Sequence, residues 1–153
     1  MKRLLVGAIC AVVGASAMAD EWRLALVDDD SAYLYNATSV QTYAYNTVGD
    51  WVLVAYRPEY FNHNLYWIEF NCDKKSFRPL ESYTMKNNGK QAERESFVDA
   101  SWHFPLPGDR FESVLKHVCK KTGDRSFRAD SVTEAITTTR TLLNWKNRPD
   151  PKF

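Results

Sequence analysis

The sequence predicts an α+β domain: an antiparallel meander sheet of about six strands covered by a disulfide-linked helix, plus a second C-terminal helix. Three observations carry that expectation. Between Trp22 and Val98, aromatic and β-branched residues recur in short runs of strand period, separated by turn residues. Past Pro107-Gly108, the apolar residues shift to helical spacing. Finally, Cys72 falls in the strand-rich part and Cys119 in the helical part, so one bond between them would fasten the two.

The leader comes first. Lys2 and Arg3 form a positive start, Leu4 to Val13 a short apolar core, and Ala17 and Ala19 an A-x-A pattern, which together read as a signal peptide cleaved before Asp20. That apolar run is too short to cross roughly 30 Å of hydrocarbon. Cys10 sits inside the core, followed by Ala11, Val12 and Val13, and so does not mark a lipoprotein cleavage point.

The strands follow in order. Trp22 to Val27 is the first, stopped by Asp28-Asp29-Asp30, which favour a turn. Ala32-Tyr33-Leu34-Tyr35 and Thr42-Tyr43-Ala44-Tyr45 alternate with period two. Trp51 to Tyr56 is β-branched and aromatic, as suits a central strand. Leu65 to Cys72 is the next, and Phe77 to Met85 and Lys90 to Val98 flank Asn88-Gly89, a strong hairpin signal. Short connections of this kind demand antiparallel pairing.

Two helices are expected. Asp109 caps the first, with Glu112 completing a capping box and Phe111, Val114, Leu115 and Val118 on one face. Lys120 to Asp130 reads as a polar link. Ser131 and Glu134 form a second capping box, ahead of a stripe of Val132, Ala135, Ile136, Thr139, Leu142 and Leu143. Asn147 to Phe153, with two prolines, reads as a frayed tail. The domain division is therefore 1–19 signal peptide, 20–121 main domain, and 122–153 C-terminal extension.

Charge and cysteine usage bound the chemistry. The chain carries 20 Lys and Arg against 19 Asp and Glu, which gives no electrostatic reason to seek nucleic acid. No later stretch approaches the about eighteen apolar residues a membrane span needs. Once the leader is gone, Cys72 and Cys119 are an even pair in an exported chain, and a disulfide is the expected state.

Catalytic signatures are missing. The 3 histidines, His63, His103 and His117, share no metal-ligand spacing, and no metal or cofactor is expected. There is no G-x-S-x-G elbow, no S-x-x-K pattern and no phosphate-binding glycine loop. The aspartates at 28–30 lack the glycine and glutamate of a calcium loop and read as a turn. Asn36-Ala37-Thr38 matches a glycosylation acceptor by letter only. The candidate ligand-binding residues are aromatic and basic instead: Tyr33 and Tyr35 on one strand face, Tyr43 and Tyr45 on another, and Lys86, Lys90 and Arg94 around the hairpin. Trp51, Tyr56, Trp67 and Phe70 are expected in the core.

The order of landmarks resembles the surface-adhesin protein E family of Gram-negative bacteria. Those landmarks are Trp22, the Asp30-Ser31 turn, Trp51 in a central strand, Asn71-Cys72 closing a strand, Trp102, and Pro107-Gly108-Asp109 entering a helix that ends in Val118-Cys119. The resemblance covers residues 20–120. It implies an antiparallel sheet with a helix across it, a place at the cell envelope, and binding of host matrix or serum proteins. The chain departs from the best-known member in lacking a lipoprotein signal and in continuing well past Cys119. The reading of function is thus an exported, non-enzymatic binding protein, periplasmic or at the cell surface, with a protein ligand. A periplasmic accessory factor is the alternative.

Overall fold

Among the described residues, eight antiparallel strands form one sheet, with a helix on each face. The computed structural model describes residues 20–57, 59–60, 62–97, 100–122 and 124–146, and side chains for all of these except 124–126, 145 and 146. The leader at 1–19 and the tail at 147–153 lie outside the described residues, as does Val98.

Strands β1 (Trp22–Val27), β2 (Ser31–Asn36), β3 (Gln41–Thr42), β4 (Thr47–Tyr56), β5 (Asn62–Asn71), β6 (Ser76–Lys86) and β7 (Gln91–Ser96) run in chain order. Across the sheet the order is β7-β6-β5-β4-β2-β1, with β3 paired to β4, so the expected meander is present. One further strand, β8 (Asp124–Ala129), pairs with the outer edge of β1. This corrects the expectation of a polar link at 120–130. Half-charged edge strands carry little apolar signal, because one side of their ladder faces water.

A second correction concerns Thr42 to Tyr45. Only Gln41–Thr42 is strand. Tyr45 (φ 59°) and Asn46 (φ 51°) adopt the left-handed conformation, because the chain must reverse there to enter β4. The aspartate cluster behaves as a turn: Asp28 Oδ1 accepts from the backbone N–H of Asp30 at 2.9 Å and of Ser31 at 2.7 Å.

Helix α1 (Arg110–Lys120) starts as its capping pattern requires. Asp109 accepts from the Phe111 N–H at 2.8 Å, and Glu112 accepts from the Gly108 N–H at 2.8 Å. Helix α2 (Val132–Lys146) is capped likewise, with Ser131 accepting from the Glu134 N–H at 3.1 Å and Glu134 accepting from the Asp130 N–H at 2.8 Å. Its threonines turn inward on the helix itself: Thr137 and Thr141 donate to the carbonyls four residues back.

Strand alternation decides which helix covers which residue. On β2 and β4, Tyr33, Tyr35, Val52 and Val54 lie in the core layer beneath Val114, Leu115 and Val118 of α1. Their neighbours Ala32, Leu34, Leu53 and Ala55 lie in the layer beneath Ala135 and Ile136 of α2. The Cys72–Cys119 disulfide is present, with Cα atoms 5.6 Å apart, and joins α1 to the residue following β5. Closing a loop of 47 residues contributes about 4 kcal/mol in the chain-entropy account. Among the described residues, no helix is long and apolar enough to cross a membrane.

Candidate functional site

The two helices have their main contacts on β1, β2, β4, β5 and β8. Strand β6 meets them near its ends, where Phe77 stacks on Phe111 of α1 at 4.7 Å and Met85 joins the α2 layer. Its middle, with β7, lies beyond those contacts. There the sheet carries an aromatic cluster. Trp51 on β4 lies directly opposite Trp67 on β5 in the pairing register. Their ring centroids are 5.1 Å apart, and Tyr83 of β6 follows at 5.6 Å from Trp51. All three rings are half-buried. They pack on one another and still present an edge to water, which suits aromatic residues at an interface.

Gly49 makes room for this arrangement. It precedes Trp51 by two residues and shares its face. A Cβ at 49 would come within 2.7 Å of Trp67 and 2.9 Å of Tyr43, so any side chain would push both rings off the sheet. Tyr43 is 41 % exposed beside it, its hydroxyl donating to Gln41 Oε1 at 2.9 Å.

Fixed charges frame the cluster. Arg94 of β7 pairs with Glu81 of β6 at 2.8 Å, and its guanidinium lies 5.6 Å from the Tyr83 ring centre. The Tyr83 hydroxyl donates to Glu81 at 2.8 Å, which raises the phenol's pKa and lowers the carboxyl's. Next to them Arg78 pairs with Glu69 at 2.7 Å and lies 4.8 Å over the Trp102 ring. Donors and acceptors are thus held in place around an apolar patch. The arrangement offers an apolar patch with fixed polar neighbours.

The expected site residues divide sharply. Tyr33 and Tyr35 are buried, at 6 % and 1 % exposure, and the reading of them as an exposed surface is corrected. Helix α1 covers their face: Tyr33 meets Phe111 edge-on at 5.7 Å, and the Tyr35 hydroxyl donates to the Thr122 carbonyl at 2.7 Å. Tyr43 and Tyr45 are exposed, the latter at 89 % in the turn before β4. Arg94 belongs to the aromatic cluster. Lys86 and Lys90 are exposed at the β6–β7 turn, but that turn rests against α2, where any side chain at Gly89 would collide with Thr133. The three basic residues therefore do not form one protruding patch.

The sequence places Trp51, Tyr56, Trp67 and Phe70 in the core. Phe70 is fully buried as expected, whereas Trp51 and Trp67 are half-exposed members of the cluster. A usable signal was present, since Gly49 and Trp51 share a face and glycine often marks close approach within a strand. The reach of α2 was not legible.

Other polar groups are structural. The His63 ring is buried, with Nδ1 accepting from the Tyr56 N–H at 3.0 Å and Nε2 2.8 Å from Asn87 Oδ1; burial lowers its pKa. His103 pairs with Phe77 through the backbone, and His117 lies 2.9 Å from the Thr122 carbonyl. Asn36, the acceptor letter of the glycosylation match, is 2 % exposed. Asp50 is fully buried, its Oδ1 accepting from Ser39 Oγ at 2.5 Å and the Trp51 N–H at 2.8 Å. Burial pushes its carboxyl from 3.8 to about 8. These bonds tie the loop after β2 to the strand that presents Trp51.

Among the described residues, no group of three or more His, Cys, Asp and Glu could hold a metal ion. No protein-family profile matches the chain, and neither a curated protein nor a solved structure matches it.

Proposed function

We propose that this chain is an exported, non-enzymatic binding protein of the bacterial cell envelope, adhesin-like in action. It holds a protein ligand against the face formed by Tyr43, Trp51, Trp67, Tyr83 and Arg94. One observation carries the reading: an aromatic cluster stands on the sheet outside both helices, framed by ion pairs that fix its polar neighbours. Aromatic residues and arginine supply most of the energy at protein interfaces, where their large rigid surfaces lose little entropy on docking. The leader pattern at 1–19 and the Cys72–Cys119 bond support export to an oxidising compartment.

The test places a photo-crosslinking residue at position 43, with a control at the exposed Thr137 of α2, in cells that make the protein. The proposal expects one discrete protein adduct from 43 and none from 137. Equal adducts from both positions, or none from either, would refute it. Protease shaving of whole cells then decides location, since a surface adhesin is removed and a periplasmic accessory factor is spared.

A further inference from the structure

We infer that the protein carries a second docking site, on the α1 side of the sheet, for an acidic peptide segment with one large apolar side chain. The site is a groove of about 290 Å³ between α1 and the turn that follows β5. Its apolar lining is Leu115, Pro105 and the Cys72–Cys119 disulfide. Leu115 is only 5 % exposed, so the apolar part is recessed and receives a side chain rather than inserting one. Either side of Pro105, Phe104 (66 % exposed) and Leu106 (74 % exposed) extend the apolar strip along the chain.

The charge around the groove selects the occupant. Lys75, Lys116 and Lys120 all line it, against a single carboxylate, Glu112. Glu112 is already engaged, bonded to Lys116 at 2.8 Å and accepting from the Gly108 N–H at 2.8 Å. Lys75 and Lys120 form no salt bridge among the described residues. Lys75 also acts on the Glu112 carboxyl through its charge, and three lysines against that one carboxylate leave net positive charge around a recessed apolar seat. A peptide that places a leucine or phenylalanine in the seat and carboxylates on its flanks satisfies both features at once. A lipid bilayer matches less well, because a flat leaflet cannot enter a recess. This site is independent of the aromatic face, and the two readings fail separately.

Fluorescence anisotropy of the full purified protein tests it, with a labelled acidic heptapeptide bearing one central leucine. Saturable binding is expected, weakening with added salt. It should fall about tenfold or more in the Lys75→Glu/Lys120→Glu variant, whose substitutions are exposed and leave the fold intact, and equally when the peptide's leucine becomes serine. Unchanged binding in either arm would overturn the site. So would an absence of saturable binding, or association with phosphatidylglycerol vesicles in place of the peptide. Tyr43→Ser should leave this titration unaltered.

Discussion

The part of the sheet between the helices and the part beyond them are built from the same residue types but serve different ends. Between the helices, Ala32, Leu34, Leu53 and Ala55 are sealed from water under α2, and Val52 and Phe70 are sealed in the α1 layer. Beyond them, every residue of β7 is exposed and Trp51, Trp67 and Tyr83 are half-open. Strand β4 belongs to both regions, passing from half-exposed Trp51 to sealed Leu53 in two residues. The comparison teaches that aromatic content does not itself mark a binding surface here. Helix coverage decides, and it turned Tyr33 and Tyr35 into core while leaving the tryptophans accessible.

Perturbing the covered region should have the largest effect. Phe70→Ala removes a fully buried ring and should lower the unfolding free energy by about 3–5 kcal/mol, read by chemical denaturation. Replacing both Cys72 and Cys119 by serine should cost about 2–4 kcal/mol in the same assay. A much smaller loss would show that α1 holds to the sheet without its covalent tie.

A third prediction concerns Asp50, at the boundary of the two regions. Its carboxyl titrates near 3.8 when unfolded and at about 8 in the fold. Between those values the native state binds the extra proton, so this group lowers stability as pH rises through the window and adds no further change above it. Asp50→Asn stays neutral throughout, so its stability relative to the parent should rise from pH 4 to pH 8. A constant difference across that range would remove Asp50 from the account.

The smallest effect belongs to the exposed rim. Tyr43→Ser and Arg94→Ala should each change stability by less than about 1 kcal/mol, since an exposed ion pair and a surface ring contribute little to folding. A loss comparable to that of Phe70→Ala would mean that the rim is part of the core.

Much of this architecture was legible in the chain. Alternation located β2, and runs of β-branched and aromatic residues between turn residues located β1, β4 and β5. The Asn88-Gly89 signal located the β6–β7 hairpin, and the capping boxes at Asp109 and Ser131 located both helices, because these signals are local. The cysteine pairing followed from an even count behind a leader-like start. What escaped depended on long-range packing. Strand β8 is a short edge strand whose partner, β1, lies about a hundred residues earlier in the chain, and nothing in Arg125 to Arg128 announces it. The alternation put Tyr33 and Tyr35 on one face correctly, yet which face α1 would cover is a property of the whole fold. For the same reason Gly49 beside Trp51 marks a close approach on that face without showing whether a helix would cover it.

Partner retention by the Tyr43→Ser/Arg94→Ala protein tests the central claim most directly. The account predicts that this variant melts within a few degrees of the parent and no longer retains the protein crosslinked at position 43. Undiminished retention by a folded variant would contradict it.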